Sequence, residues 1–166
     1  GDIRRINVYG QEKEAATYRL AKMNLALRGI SHNLGEESDS TFTHDLFKGL
    51  YFDYIMANPP FNVDKVKAES CESAGRLPFG MPGVNKNKEV GNANYLWISY
   101  FYSYLNEHGR AGFVMASSAT DSQGKDKDIR ESLIKTGHVD AMVSVGNNFF
   151  YTKSLPCSLW FFDKGK

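Results

Sequence analysis

The 166-residue sequence has only two cysteines, Cys71 and Cys157, far apart and outside any Cys-x-x-Cys pair, and its four histidines, His32, His44, His108 and His138, fall at no ligand spacing. A disulfide scaffold and a structural zinc site, which both need clustered donors, are set aside on that ground. Net charge is also scarce: Lys+Arg 20 against Asp+Glu 19 leaves +1, so no basic excess marks a polyanion-binding surface. Long apolar runs are missing too. The longest, residues 111–119 and 155–162, are far below the ~20 residues that span a bilayer, and no charged-then-apolar leader opens the chain. A soluble, cytoplasmic protein with no membrane contact is expected. What is present, 42% apolar and 13% aromatic residues, is a folding composition sufficient for one domain over residues 1–166.

Hydrophobic periodicity orders the chain. Residues 5–9 read as a short strand closed by Gly10. Ala16, Leu20, Met23, Leu27 and Ile30 step by 4, 3, 4 and 3, one face of a helix over residues 13–28 that Gly29 stops. Residues 39–43 can form a strand, and residues 52–56 read as a near-continuous apolar strand of the kind buried in parallel sheets. From 62 to 92 periodicity disappears among four glycines and two prolines, which predicts one long loop of the lid or binding type. Tyr95, Ile98, Tyr102 and Leu105, with Trp97, Phe101 and Tyr104, predict an aromatic helix ended by Gly109. A strand at 111–116, a helix at 127–135 and strands at 139–145 and 155–162 complete the set. This mostly alternating order predicts an α/β fold with a mostly parallel sheet covered by helices, its last two strands free to pair antiparallel.

The sharpest chemical signal is Asn58-Pro59-Pro60-Phe61 at the carboxyl end of the 52–56 strand, where ligand sites of open α/β sheets lie. A rigid turn would by itself explain a strand exit. The chemical reading follows from the hydrogen-bond inventory: two consecutive prolines remove two N–H donors and leave carbonyls, and Asn58 adds an amide oxygen. Such an acceptor-rich turn suits an exocyclic amine on a heteroaromatic ring. That amine is a poor nucleophile while its lone pair is delocalised; two acceptors holding its hydrogens favour the pyramidal form, which can attack an electrophilic methyl group. Phe61 offers a face for stacking a planar base, worth roughly 1–3 kcal/mol in comparable sites.

This motif, with Gly10-Gln11-Glu12-Lys13, the run from Leu20 to Ala26, Asn62, Gly91-Asn92-Ala93-Asn94 and Gly109-Arg110-Ala111-Gly112-Phe113-Val114, resembles the S-adenosylmethionine-dependent adenine-N6 DNA methyltransferases, specifically the modification (M) subunit of type I restriction-modification systems. The resemblance implies a Rossmann-like class I methyltransferase fold with an antiparallel final strand. It implies Asn58, Pro59, Pro60 and Phe61 as the catalytic turn and Phe61 and Phe150 as the two walls around a flipped adenine. Glu12 would bind the cofactor's ribose hydroxyls and Asp45 its adenine amine, with Asn58 also beside the cofactor. No metal site is implied. DNA and the specificity (S) and restriction (R) subunits are the implied partners, the S subunit reading sequence and making most phosphate contacts, as the near-zero charge here allows.

The Gly-rich loop that ends the family's first strand has no counterpart before Arg5 or later. The chain is therefore expected to be the carboxyl part of a catalytic domain, with an incomplete cofactor site, inactive alone, and, through strand edges left open, prone to self-association, rearranged strand pairing or local disorder. Two other readings stay open: a protein or RNA amino-group methyltransferase, and a catalytically inactive docking fragment whose aromatic helix at 95–105 is an interface.

Overall fold

The computed structural model describes residues 2, 5–148 and 155–166. These divide into two compact units, Gly1–Lys48 and Gly49–Lys166. In the first, β1 (Asn7–Tyr9) pairs in parallel with β2 (Ser31–Asn33), and α1 (Ala15–Leu27) connects them. The predicted strand at 39–43 is a turn, and β2 has no sequence signal because Ser-His-Asn carries no apolar alternation. Gly29 does end α1, at φ +64: its N–H bonds to Ala26 O and that of Ile30 to Leu25 O, the paired closure that a left-handed residue permits. Only Tyr18 of α1 is buried, anchored by its hydroxyl to Gly35 O at 2.7 Å, and the apolar stripe that defined the helix is exposed, Leu27 by 82%.

The second unit holds β3 (Phe52–Ala57), β4 (Val66–Lys67), α2 (Ala68–Ala74), β5 (Glu89–Val90), α3 (Asn94–Tyr104), β6 (Leu105–Ala116), α4 (Lys125–Lys135), β7 (Val139–Val145) and β8 (Cys157–Asp163). Its main sheet has the order β3-β6-β8-β7. β3 runs parallel to β6, and β8, inserted between β6 and β7, runs antiparallel to both, so three strands share one direction and the last opposes them. The α/β class and the reversed final strand are as expected, although the insertion leaves a single parallel pair in this sheet.

The core lies on one face of that sheet. Tyr95, Ile98, Phe101 and Leu105 of the α3 region and Ile129 and Leu133 of α4 pack on Ala111, Phe113, Met115, Trp160 and Phe162. The aromatic helix is thus core, because its apolar residues circle nearly the whole axis. Alternate residues point the other way. Across the register Met56, Gly112, Phe161 and Ala141 form one row, and Val114, Leu159 and Val143 the next. On that face Met56 is 91% exposed, Val143 45% and Phe161 36%, so β3 is not the buried strand its composition suggests. No helix among the described residues is long and apolar enough to cross a membrane.

Gly109 lies inside β6 and does not terminate α3. Between the pairs Phe52–Leu105 and Tyr54–Arg110 the register jumps, and a Cβ on Gly109 would stand 2.8 Å from Phe52 O. That bulge is backbone against backbone, so it has no soft side chain to yield. Gly109→Ala should lower stability by about 1–3 kcal/mol, read as a lowered urea midpoint at constant m; an unchanged midpoint contradicts the close approach. The open apolar face gives a second expectation: this chain alone should associate in light scattering, and Met56→Glu with Phe161→Glu should shift it towards monomer, whereas a monomeric unsubstituted chain would show that the face needs no cover.

Candidate active site

β3 and β6 are parallel, so their carboxyl ends lie on the same side of the sheet, with Ala57 opposite Phe113. The turn Asn58-Pro59-Pro60-Phe61 leaves β3 at that end. Asn58 and Pro60 are exposed, Pro59 is buried, and Phe61 is half-buried with its ring against the core. Asn58 makes no side-chain hydrogen bond among the described residues. Pro59 therefore seats the turn while Asn58 keeps its amide oxygen available, the disposition that holding an outside donor requires.

The residues after the turn are fixed by a ring of three asparagine side chains to which the sequence pattern assigns no role. The Asn62 N–H donates to Asn94 Oδ1 at 2.9 Å, and Asn94 Nδ2 and Asn92 Nδ2 each donate to Asn62 Oδ1 at 3.0 Å. The Asn94 N–H closes the ring on Asn92 Oδ1 at 2.9 Å. Asn62 holds φ +55, a conformation asparagine tolerates better than most residues. No local period or spacing signals it, because the ring joins residues about 30 positions apart.

That connection, residues 62–92, is not a featureless loop. It contains α2 and the β4–β5 hairpin, pinned by Arg76, whose guanidinium is buried, donates to Leu50 O and Ser103 O at 3.3 Å and lies 3.8 Å from the Tyr104 ring centre. The elements are too short for periodicity to reveal. Beside Asn94, Tyr95 donates its hydroxyl to Ala119 O at 2.6 Å, and Arg130 donates to the same carbonyl and to Ser122 O. Burial, ahead of the opposing Arg130 hydrogen bond, pushes the Tyr95 phenol up. The start of α3 thus ties together the exit of β3 and the exit of β6.

In the first unit, Glu12 follows β1 and is half-buried; its Oε1 accepts the Glu14 N–H at 2.8 Å and its backbone carbonyl accepts the Asp39 N–H. Asp45 accepts the Phe47 N–H at 3.0 Å. Gln11 Nε2 donates to His44 O at 3.0 Å, joining the Glu12 and Asp45 segments, and the His44 hydrogen bond holds the Asp39 carboxyl below its ordinary value. The structure therefore brings the segments of Glu12 and Asp45 together, and separately assembles Asn58–Phe61 with the asparagine ring. Phe150 lies outside the described residues.

The sheet with one reversed strand defines an α/β protein, and its strand-end turn with acceptors and few donors, beside an aromatic ring, is the candidate ligand site. The family follows from comparison: the model of the N-6 DNA Methylase family matches residues 1–166, and the chain belongs to that family. It is 38% identical over 99% of its length to the methylase subunit of the type I restriction enzyme MjaIX from Methanocaldococcus jannaschii, covering 29% of that protein. It is 31% identical over its full length to the HindI methylase subunit from Haemophilus influenzae, covering 36%. The chain thus spans about a third of the length of these curated relatives. The crystal structure of a type I restriction-modification methyltransferase subunit from Streptococcus thermophilus matches 97% of the chain and 40% of its own length, at TM-score 0.78 and 19% identity, which shows a shared fold.

One electrostatic prediction follows from how the 62–92 connection is held. Asp126, in the first turn of α4, accepts the Gly83 N–H; burial pushes its carboxyl above the ordinary 3.8, against the pull of that N–H and of Arg130. The folded state then keeps a proton that the unfolded chain has lost, so between the ordinary and the raised value stability rises as pH falls. Asp126→Asn keeps an acceptor for Gly83 and removes the titration. Wild type should gain stability relative to this variant as pH is lowered through that window in urea melts, and a gap independent of pH contradicts the assignment.

Proposed function

We propose that the parent of this chain transfers a methyl group to the N6 amine of adenine in DNA, as the modification subunit of a type I restriction-modification complex acting on DNA in the cytoplasm. The observation that carries the reading is the turn at the end of β3: a buried Pro59 seats it, and Asn58, exposed and without a side-chain partner among the described residues, can accept a hydrogen from an exocyclic amine. With a carbonyl of the Pro-Pro turn as second acceptor, both amine hydrogens are held, the nitrogen lone pair localises, and the leaving proton has an acceptor beside it. No ionised base is needed. The half-buried Phe61 stacks the base on its remaining face, and Phe150 is the proposed opposite wall. A duplex adenine reaches such a turn only by flipping out of the stack.

Bound S-adenosylmethionine would supply the electrophilic methyl carbon. The acceptors present fit that cofactor: Glu12 and Asp45 are carboxylates oriented by backbone N–H groups, on segments joined by the Gln11–His44 hydrogen bond. Glu12 would accept ribose hydroxyls and Asp45 the cofactor's adenine amine, with Asn58 adjoining the methyl donor. That the chain spans about a third of its curated relatives supports the reading that residues 1–166 are part of one catalytic domain completed by a strand and a Gly-rich loop from elsewhere in the parent. DNA sequence reading falls to a specificity subunit and cleavage to a restriction subunit.

Asn58→Ala in the full-length enzyme should lower methylation of unmethylated genomic DNA at least 100-fold. The thermal midpoint should hold, because the side chain is exposed. Activity within threefold of wild type refutes the turn as the amine-holding element.

A further inference from the structure

We propose that Asn94, acting through Asn62, is a positioning residue for methyl transfer: the asparagine ring fixes the turn that holds the amine. The inference rests on the reading of Asn58-Pro59-Pro60-Phe61 given above. Asn94 is only 2% exposed, and both ends of its amide are spent on one residue, Oδ1 on the Asn62 N–H and Nδ2 on Asn62 Oδ1. Asn62 Oδ1 takes a second hydrogen from Asn92, and Asn92 returns to the Asn94 backbone. The ring is closed, so no member can shift without opening a bond that, for the buried amide, has no water to replace it.

Where the ring sits matters more than its strength. β3 is fixed in the sheet up to Ala57 by its pairing with Phe113, and the ring fixes the chain again at Asn62. Only Asn58, Pro59, Pro60 and Phe61 lie between these two anchors, and two of them have φ locked by their rings. The turn therefore has almost no slack. The long connection that follows is also cut off from it, because the Ala93 N–H bonds to Val63 O at 2.8 Å and pins the two ends of that connection together. Motion of α2 or of the β4–β5 hairpin does not reach the amine-holding turn. A ring serving stability alone could fasten the connection anywhere along its length; here it grips the residue directly after Phe61. Misplacement of a reacting group by about 1 Å can cost on the order of 100-fold in rate.

The consequence is a loss of turnover that binding does not share. The test uses the full-length methylase subunit with its partner subunits, S-adenosylmethionine labelled in the methyl group, and genomic DNA from a host lacking the enzyme. Asn94→Asp keeps the acceptor for the Asn62 N–H and replaces the donor with an oxygen facing Asn62 Oδ1. Asn62→Gly keeps the left-handed backbone and removes Oδ1; Asn62 is exposed and its N–H still bonds to Asn94 Oδ1, so this variant should fold, as its thermal midpoint checks, even if Asn94→Asp does not. Each should lower kcat at least tenfold, with KM for S-adenosylmethionine and for DNA within twofold of wild type. The double variant should lose less than a further twofold, since both changes break the same bond. A kcat within twofold of wild type for Asn62→Gly, a rise in KM at unchanged kcat, or losses that multiply in the double variant would overturn the positioning role while leaving the reading of the turn intact if Asn58→Ala is dead. An active Asn58→Ala overturns both.

Discussion

The structure of the candidate site depends on one constraint, a strand that ends in a segment with almost no hydrogen-bond donors to spend. Two consecutive prolines cannot continue a sheet ladder or start a helix by bonding backwards, so the chain leaving β3 must be held by something other than its own backbone. Pro59 holds it by burial and Phe61 by packing on the core. The side chains of Asn62, Asn92 and Asn94 supply the polar closure that the prolines cannot. The turn is left with carbonyl acceptors and, at its two prolines, no backbone donor.

The scaffold around this turn is rigid for reasons that act together. Parallel pairing of β3 with β6 sets both carboxyl ends on one side, and α3 begins there with Asn94 on one exit and Tyr95 on the other. Its remaining residues form the core that the sheet rests on. A site built on the ends of paired strands and the first turn of a buried helix is more exactly placed than one built on a free loop. The opposite face of the sheet, with Met56, Phe161 and Val143 uncovered, fits a chain that spans about a third of its curated relatives.

Much of this was legible in the residues, and the failures have physical causes. Long periodic elements such as α1, α3 and α4 declared themselves, and α4 has the acidic first turn, Lys135 in the last turn and flanking glycines expected of a stable helix. Short ones did not: β2, β4 and β5 have two or three residues each, too few for a period. Gly109 is ambiguous in the sequence because glycine marks both a helix end and a close approach of two backbones, and only the partner strand, with Phe52 O 2.8 Å from where a Cβ would stand, decides which. The Asn-Pro-Pro-Phe turn could be read from composition because proline's missing donor is a local property. The asparagine ring could not, since it joins residues about 30 positions apart, and side-chain amides announce no partner in advance. Glu12 and Asp45 were placed by resemblance, and the structure adds that their segments are joined and their carboxylates oriented by backbone N–H groups.

The resting place of the nucleobase amine decides whether the turn is the amine-holding element. A structure of the full-length enzyme with S-adenosylmethionine or its product and a DNA duplex containing the methylated site measures it directly. The prediction is an extruded adenine whose N6 lies about 2.7–3.2 Å from Asn58 Oδ1 and from a carbonyl of the Pro-Pro turn, with the ring stacked on Phe61. An adenine held elsewhere, or turn carbonyls directed into the protein interior, would contradict it.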